Sequence, residues 1–312
     1  MISVVVPLLN EERSLETLYA EIAAALESEG YSFEVVFVDD GSVDGSMSVL
    51  TQLHDEMANV VVVHLRRNFG KAAALQAGFL HARGNVIVTI DADLQDDAAE
   101  IPNLLAKLDE GVDLVSGWKT RRNDPVFRRL FSRIFNWATA VVSGVQLHDV
   151  NCGLKAYRAE VLQGIRLYGE LHRFIPILAA YSGFRVAEIP VNHRARQHGR
   201  SRYGPERYLR GFFDLMSVTF MGRYRHRPLH LFGGVGVLMG ALGFVILTYL
   251  TVIWLLGEGI GHRPLLTLGV LLVVVGIQFV SLGLLSELIT SQHEERMDER
   301  QRIEQLVEEV LR

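Results

Sequence analysis

Two long apolar stretches near the end of the chain limit most strongly what it can fold into. From Leu229 to Leu256 there is no acidic residue, lysine or arginine over 28 positions, and from Leu265 to Ser286 there is none over 22. A helix of about 20 apolar residues can cross a bilayer, so each stretch is long enough. The short join at 257–264 predicts a two-helix transmembrane hairpin over 229–286. The alternative is a buried helical hairpin in a soluble protein.

The composition excludes several other classes of protein. The chain has 312 residues, a mean hydropathy of +0.20 and a formal net charge of -5, which argues against a nucleic-acid partner. Its one cysteine, Cys152, excludes an intrachain disulfide and a multi-cysteine metal site. The segment Met1 to Val6 lacks the basic start of a signal peptide, so we expect the N-terminal domain to stay in the cytosol.

Short β-branched runs alternate with helical periodicity from residue 1 to about 117. This alternation predicts an α/β fold with a doubly wound, mostly parallel sheet. The predicted strands are Ile2–Val6, Phe33–Val38, Val60–His64, Val86–Ile90 and Val112–Ser116. The predicted helices are Ser14–Ser28, Asp44–Met57, Lys71–His81 and Ala98–Asp109, with Ser14 and Asp44 as N-caps.

Two carboxylates, Asp91 and Asp93, come directly after the strand predicted at 86–90. Because side chains alternate along an extended chain, both should point the same way at the edge where open α/β sheets bind ligands. A divalent cation holding a diphosphate would satisfy them. The alternative is a solvated turn with helix-capping aspartates.

Polar residues also come after the first two strands, at Pro7–Glu12 and at Asp39-Asp40. Three such clusters along one sheet edge predict a ligand crevice, in which Asp39 or Asp40 accepts hydrogen bonds from a base or a ribose. The basic run at 66–71 ends in Lys71 just before a helix and suits phosphates, unless it is only a solvated helix start. No glycine-rich dinucleotide or P-loop motif occurs in this half of the sequence, which argues against both of those classes.

Four segments in this order resemble the motif series of family 2 glycosyltransferases with the GT-A fold. They are Val6–Glu11, Val38–Ser42, Arg67–Lys71 and Asp91–Gln95. The resemblance covers roughly residues 2–204 and is strongest to the polyprenyl-phosphate branch, which includes dolichyl-phosphate mannose synthases and undecaprenyl-phosphate glucosyltransferases. It implies Mg²⁺ or Mn²⁺ on Asp93, helped by Asp91 and Gln95. The expected contacts to the donor are Pro7, Leu9, Asn10, Glu11, Asp39, Asp40 and Lys71.

Beyond residue 117 the composition turns basic. A helix starting near Pro125 would place Arg128 and Ser132 on one face, where they can grip an anion. A basic helix lying on a membrane surface is the other interpretation. The polyprenyl-phosphate branch has a similar spacing, and the resemblance therefore favours Lys119, Arg128 and Ser132 as contacts to the acceptor lipid phosphate.

Two further segments of this half resemble the same family. Residues 149–155 are similar to its Asp-x-x-Ser/Thr-Gly-Phe-Arg motif, which puts Asp149 near the acceptor as a catalytic candidate or makes it a structural anchor. We expect Cys152 to be a buried small residue. The loop at 193–204 carries Arg200 and Arg202, which could close over a diphosphate as a lid, or could form an ordinary surface loop.

The sequence therefore predicts a catalytic domain at 1–204, made of a nucleotide-sugar half (1–117) and an acceptor half (118–204). An amphipathic interfacial helix at 205–228, the hairpin, and a charged cytosolic helix at 287–312 would complete the chain. That last helix is compatible with a homo-oligomer. Both termini and the catalytic domain should face the cytosol of a bacterial or archaeal plasma membrane.

The activity we expect is the inverting transfer of a hexose from a nucleotide-diphosphate sugar to a polyprenyl phosphate. A UDP-glucose-like donor is the first choice and GDP-mannose the second. A processive polysaccharide synthase should carry a Gln-x-x-Arg-Trp motif, which none of the three tryptophans provides. A nucleotidyltransferase should have a glycine-rich loop after the first strand. A nucleotide-binding membrane scaffold without catalysis is the non-enzyme alternative.

Overall fold

A computed structural model describes most of the chain. The described residues are 1–119, 139–140, 143–145, 147–163, 165, 167, 169–194, 214–218, 220, 228–260 and 264–296, with side chains up to residue 290. They divide into two compact units, Met1–Val218 and Thr219–Arg312.

The first unit contains a seven-stranded sheet in the order β3-β2-β1-β4-β6-β5-β7. Its strands are β1 (Ile2–Leu8), β2 (Phe33–Asp39), β3 (Val60–His64), β4 (Val86–Thr89), β5 (Leu114–Lys119), β6 (Lys155–Arg158) and β7 (Val186–Val191). All neighbouring pairs are parallel except those of β6, which runs antiparallel to β4 and β5. The prediction of an α/β fold with a mostly parallel sheet is confirmed.

Helices cover both faces of this sheet. They are α1 (Leu15–Glu27), α2 (Ser46–Glu56), α3 (Lys71–His81), α4 (Ile101–Asp109), α5 (Ala159–Gln163) and α6 (Ile175–Tyr181), with 3₁₀ turns at Ala98–Glu100 and Leu171–Phe174. Side chains alternate along β1, so Val4 and Val6 enter one core cluster and Val5 enters the other. A sheet buried on both faces needs apolar residues at nearly every position, and β1 is buried throughout.

The elements predicted up to residue 117 agree with the observed ones to within about three residues. Three details differ. Ser14 occupies the N-cap position of α1, but its hydroxyl donates to the carbonyl of Glu11 and does not cap the helix. The predicted N-cap Asp44 is wrong, because Gly45 takes that position while the Asp44 carboxylate accepts from the Ser46 N–H at 3.0 Å. The short antiparallel β6 was not predicted.

The second unit contains two long apolar helices, α7 (Pro228–Leu255) and α8 (Pro264–Arg296). By length and composition both could span a membrane, with mean hydropathies of 2.2 for Pro228–Leu255 and 2.5 for Pro264–Thr290. The helices touch through backbone, since a Cβ placed on Gly236 would lie 2.6 Å from the carbonyl oxygen of Gly276. Large apolar side chains such as Leu238 face outward, as lipid-facing side chains do.

The boundaries of the membrane part differ in detail from the prediction. α8 runs without a break through residue 287, where the sequence suggested a separate helix. The amphipathic helix expected at 205–228 lies mostly outside the described residues. Within it, residues 214–218 are helical, and Leu215 and Val218 pack into the core of the first unit while Met216 is exposed.

Candidate functional site

The two carboxylates at the end of β2, Asp39 and Asp40, are buried and hydrogen-bonded to the protein itself. The Asp39 side chain accepts from the Ser42 N–H at 3.1 Å and from the Ser42 hydroxyl, and its other oxygen lies 2.8 Å from Nδ1 of His64. Asp40 accepts from the backbone N–H groups of Phe69 at 2.7 Å and Gly70 at 2.9 Å. Both side chains therefore fix the turns that border the crevice.

A tight turn at Gly41 makes this packing possible. Gly41 has φ +74°, and a Cβ there would lie 2.6 Å from the backbone of Arg67, so only glycine fits. Asn10 also has positive φ, and its side-chain oxygen accepts from the Val43 N–H at 2.8 Å. The segment after β1 is thus clamped onto the segment after β2, which brings two of the predicted donor-binding motifs together. Pro7 is buried in β1 and Leu9 is half-buried beside Asn10.

The carboxylates after β4 are placed differently. The strand ends at Thr89, so alternation along an extended strand does not apply to Asp91 and Asp93 as the sequence suggested. The chain turns instead at Leu94, which has φ +57°. Burial nevertheless alternates: Ala92 and Leu94 are buried, whereas Asp91 and Asp93 are partly exposed. Both carboxylates therefore lie at the surface of the crevice.

Two neighbours position Asp91. Lys71, the first residue of α3, forms an ion pair with its carboxylate. On the other side a Cβ placed on Gly153 would lie 2.7 Å from Cγ of Asp91, so the absence of a side chain leaves room for the carboxylate. The predicted donor and acceptor segments consequently meet at Asp91.

Residues just beyond this pair link the crevice to β5 and β7. Gln95 accepts the Arg194 N–H at its carbonyl, at 2.7 Å. The buried Asp96 lies 3.1 Å from Nζ of Lys119 and 3.3 Å from Nδ1 of His193. Although burial opposes its charge, the hydrogen bond from His193 and the charge of Lys119 hold the pKa of Asp96 well below its usual value. Burial lowers the pKa of Lys119, but the charge of the Asp96 carboxylate raises it by more. The pKa of Lys119 is therefore above its usual value.

The side chain of Glu188 in β7 holds the loop that precedes β6. Glu188 accepts from the backbone N–H groups of His148 at 2.8 Å and Asp149 at 3.1 Å. Asp149 is buried and accepts from the Asn151 N–H at 3.1 Å. The expectation that Cys152 is buried is confirmed, and burial raises the pKa of its thiol to about 12, which leaves it unreactive near neutral pH.

A cavity of about 110 Å³ opens beside Asp91, and several of its residues were not predicted from the sequence. Thr89 and Tyr157 form part of its wall, with their hydroxyl oxygens 3.2 Å apart. Burial raises the pKa of Tyr157, so this hydroxyl keeps its proton. The polar lining includes Lys71, Asp91, Lys155, His172 and Arg173. A lone lysine at the start of a four-residue strand gives no sequence signal of burial.

Four predicted residues lie outside the described part of the chain, namely Arg128, Ser132, Arg200 and Arg202. Within the described part, no group of three or more His, Cys, Asp or Glu side chains is arranged to hold a metal ion. Two carboxylates suffice where substrate phosphates supply the other ligands of Mg²⁺, so Asp91 and Asp93 fit a divalent cation bound together with a diphosphate.

The geometry agrees with comparisons to known proteins. The family model described as Glycosyl transferase family 2 matches residues 3–166. A dodecaprenyl-phosphate galacturonate synthase from Rhizobium johnstonii is 42% identical over 92% of this chain and 87% of its own length. An undecaprenyl-phosphate 4-deoxy-4-formamido-L-arabinose transferase from Edwardsiella ictaluri is 38% identical over 92% of this chain and 88% of its own.

Solved structures agree on the fold. The glucosyl-3-phosphoglycerate synthase of Mycobacterium tuberculosis, in complex with Mn²⁺, UDP-glucose and phosphoglyceric acid, superimposes with a TM-score of 0.53 at 21% identity. The match covers 70% of this chain and 79% of the other. At this identity the likeness concerns the fold, and it agrees with the predicted GT-A architecture.

Proposed function

We propose that this chain, which belongs to the family 2 glycosyltransferases, transfers a sugar from a nucleotide-diphosphate donor to a polyprenyl phosphate at a membrane surface. The observation that carries the proposal is one chain that joins a GT-A sheet edge bearing Asp91 and Asp93 to two helices long enough to span a bilayer. The relatives that match over nine tenths of the chain are named for this class of acceptor.

The donor sugar is the finer part of the proposal. The sequence suggested a UDP-glucose-like donor, with GDP-mannose second, but the two relatives are named for galacturonate and for 4-deoxy-4-formamido-L-arabinose. We therefore rank modified sugars of these two kinds above glucose and mannose. The galacturonate type comes first because that relative is the more similar of the two, at 42% against 38% identity.

The proposed roles derive from charge. A divalent ion, Mg²⁺ or Mn²⁺, would be held by Asp91 and Asp93 with help from Gln95, and it would supply stabilisation for the charge that develops on the departing nucleoside diphosphate. Lys71 keeps the Asp91 carboxylate in place by pairing with it. The turn fixed by Asp39 would hold Asn10 against the donor nucleotide, because the Asn10 N–H donates to the Ser42 hydroxyl at 2.8 Å.

The reaction needs no strong protein base. The acceptor phosphate carries about -1.5 to -2 charge near pH 7, so its oxygen can attack the anomeric carbon as the bond from that carbon to the diphosphate breaks. A single displacement of this kind inverts the anomeric centre. Asp149 is buried and its carboxylate accepts from the Asn151 N–H, and we assign it an anchoring role.

The membrane location belongs to the same proposal. The hairpin of α7 and α8 would keep the enzyme beside its lipid, with the catalytic unit and both termini in the cytosol. Arg128, Ser132, Arg200 and Arg202 remain predicted contacts to the lipid phosphate and the donor diphosphate. A homo-oligomer remains a prediction from the charged tail.

A donor screen tests the function. Full-length protein purified in detergent is incubated with UDP-galacturonate, a UDP-linked 4-formamido-arabinose, UDP-glucose or GDP-mannose, each with and without undecaprenyl phosphate. We expect lipid-dependent release of the nucleoside diphosphate and a glycosylated lipid by mass spectrometry, most rapidly with one of the first two donors. Nucleotide binding without any glycosylated lipid would establish the scaffold alternative instead.

A further inference from the structure

Lys155 is a buried cation that forms no ion pair with a carboxylate in the described part of the chain. It begins β6, pairs in register with Thr89 of β4, and is 4% exposed. Its ammonium donates to the carbonyl oxygen of Cys152. Among the residues that the structure describes, no carboxylate lies within ion-pair distance of this ammonium, although a buried charge normally has such a partner.

Among the described residues that, like Lys155, line the cavity beside Asp91, cationic side chains outnumber carboxylates. Lys71 is paired with Asp91, which is the only carboxylate among the described lining residues. Arg173, also in the wall, is paired with Glu170. These pairs leave Lys155 without an ion-pair partner in the described part of the chain, although the charges of Asp149 and Asp91 act on it from beyond ion-pair distance.

Burial lowers the pKa of Lys155, as it does for an ammonium transferred from water into a protein interior. An anion placed in the cavity would reverse this effect by supplying the missing counter-charge. The size of the cavity, about 110 Å³, suits a terminal group and is too small for a nucleotide. The diphosphate of a nucleotide sugar is bonded at both ends, so it would need open space on both sides of the cavity.

We propose that this cavity is a subsite for the terminal oxyanion of a substrate, and that Lys155 is its binding residue. The inference rests on the proposed function, in which two groups have this chemistry: the phosphate of the acceptor lipid and a carboxylate on the donor sugar. Lys119, which the sequence suggested for the acceptor phosphate, is instead held by the carboxylate of Asp96, so its charge is already compensated. Lys155 lies near enough to Asp91 for the subsite to open onto the donor crevice.

The first experiment measures binding without turnover. Thermal unfolding of the full-length protein is followed in detergent with inorganic phosphate, with glucuronate and with chloride at equal ionic strength. We expect one of the two oxyanions to raise the melting temperature of the wild type. The same ion should not stabilise Lys155→Met and should stabilise Lys155→Arg. Stabilisation by phosphate identifies the acceptor as the source, and stabilisation by glucuronate identifies the sugar.

The ligand-free variants separate binding from a purely structural role. Methionine removes a buried, uncompensated charge at similar volume, so Lys155→Met should unfold at the wild-type temperature or above it. If the bond to the Cys152 carbonyl were the whole purpose of Lys155, the variant would be less stable and the two oxyanions would act equally on both proteins. That result overturns the proposal.

The second experiment measures the KM for each substrate. With an active donor, Lys155→Met should raise KM for the substrate that bears the oxyanion by about tenfold to a hundredfold, the range for losing one charged hydrogen bond. The matched control is Lys107→Met, which removes an ammonium paired with Glu110 on the surface and should leave both KM values unchanged. Unchanged KM values in Lys155→Met would exclude the subsite, whereas inactivity of the wild type with every donor would refute the proposed function and leave the binding result standing.

Discussion

The carboxylates after β2 and those after β4 lie at the same edge of one sheet, yet their surroundings differ. Asp39 and Asp40 are buried, and their oxygens accept hydrogen bonds from the protein. Asp91 and Asp93 are partly exposed, and Asp91 lines a cavity. Identical side chains at equivalent places thus divide into one pair that builds the crevice and one pair that can bind a ligand within it.

The largest effect is expected from Asp93→Asn, which tests whether the pair after β4 binds a ligand. If Asp93 holds a divalent ion against the donor diphosphate, the variant should lose at least about a thousandfold in kcat, because the metal contributes several kcal/mol to stabilising the leaving group. Its melting temperature should stay at the wild-type value, since the carboxylate is partly exposed. The measurement is sugar transfer to polyprenyl phosphate over a range of Mg²⁺ and Mn²⁺ concentrations.

The control for Asp93→Asn is Asp55→Asn, which removes an exposed carboxylate from α2 and should be fully active. Near-normal turnover of Asp93→Asn with either metal present would show that Asp93 is not a ligand.

A smaller effect is expected from Gly153→Ala. The new Cβ would lie within 2.9 Å of all three carboxylate atoms of Asp91 and would displace that group. We expect kcat to fall by about tenfold to a hundredfold, the effect of moving a reacting group by about 1 Å. Gly234→Ala, where nothing lies within 4 Å of the new Cβ, is the matched control. Equal activity of the two variants would show that the position of Asp91 does not matter.

The smallest effect is expected from Asp40→Asn, which should lower the stability of the protein. The amide can accept only part of what the carboxylate accepts from the N–H groups of Phe69 and Gly70, so we expect the free energy of unfolding to fall by about 1–3 kcal/mol. The KM for the donor should be unchanged for the folded protein. A stable variant with a raised donor KM would instead place Asp40 among the donor contacts, as the sequence suggested.

Much of this fold could be predicted because its signals are local. β3 and α3 coincide with their predicted ranges, since β-branched runs and helical periodicity are written in consecutive residues. β6 was missed because a strand of four residues lacks a periodic signal, and its place depends on β4 and β5.

The residues of the site also divide into those with a local sequence signal and those whose role depends on tertiary packing. The motifs around Asp39 and Asp91 were found because several polar residues cluster after apolar runs. The hydrogen bonds of Asp40 could not be predicted in this way, because the packing of α3 brings its partners at 69 and 70 to it. Lys155 was included in the motif match at 149–155 but was not predicted to bind a ligand, since a single lysine next to apolar residues does not reveal that its ammonium is enclosed.

The reversed direction of β6 has a consequence for how such an enzyme can diversify. The parallel strands β1, β2 and β4 supply the crevice from the segments after their last residues. β6 supplies it from the segment before its first residue, because Lys155 is aligned with the end of β4 at Thr89. The residues that complete the crevice beside Asp91 therefore lie some sixty positions downstream, in a separate loop. We therefore expect substitutions in that loop to alter which substrate is accepted while residues 1–117 stay unchanged.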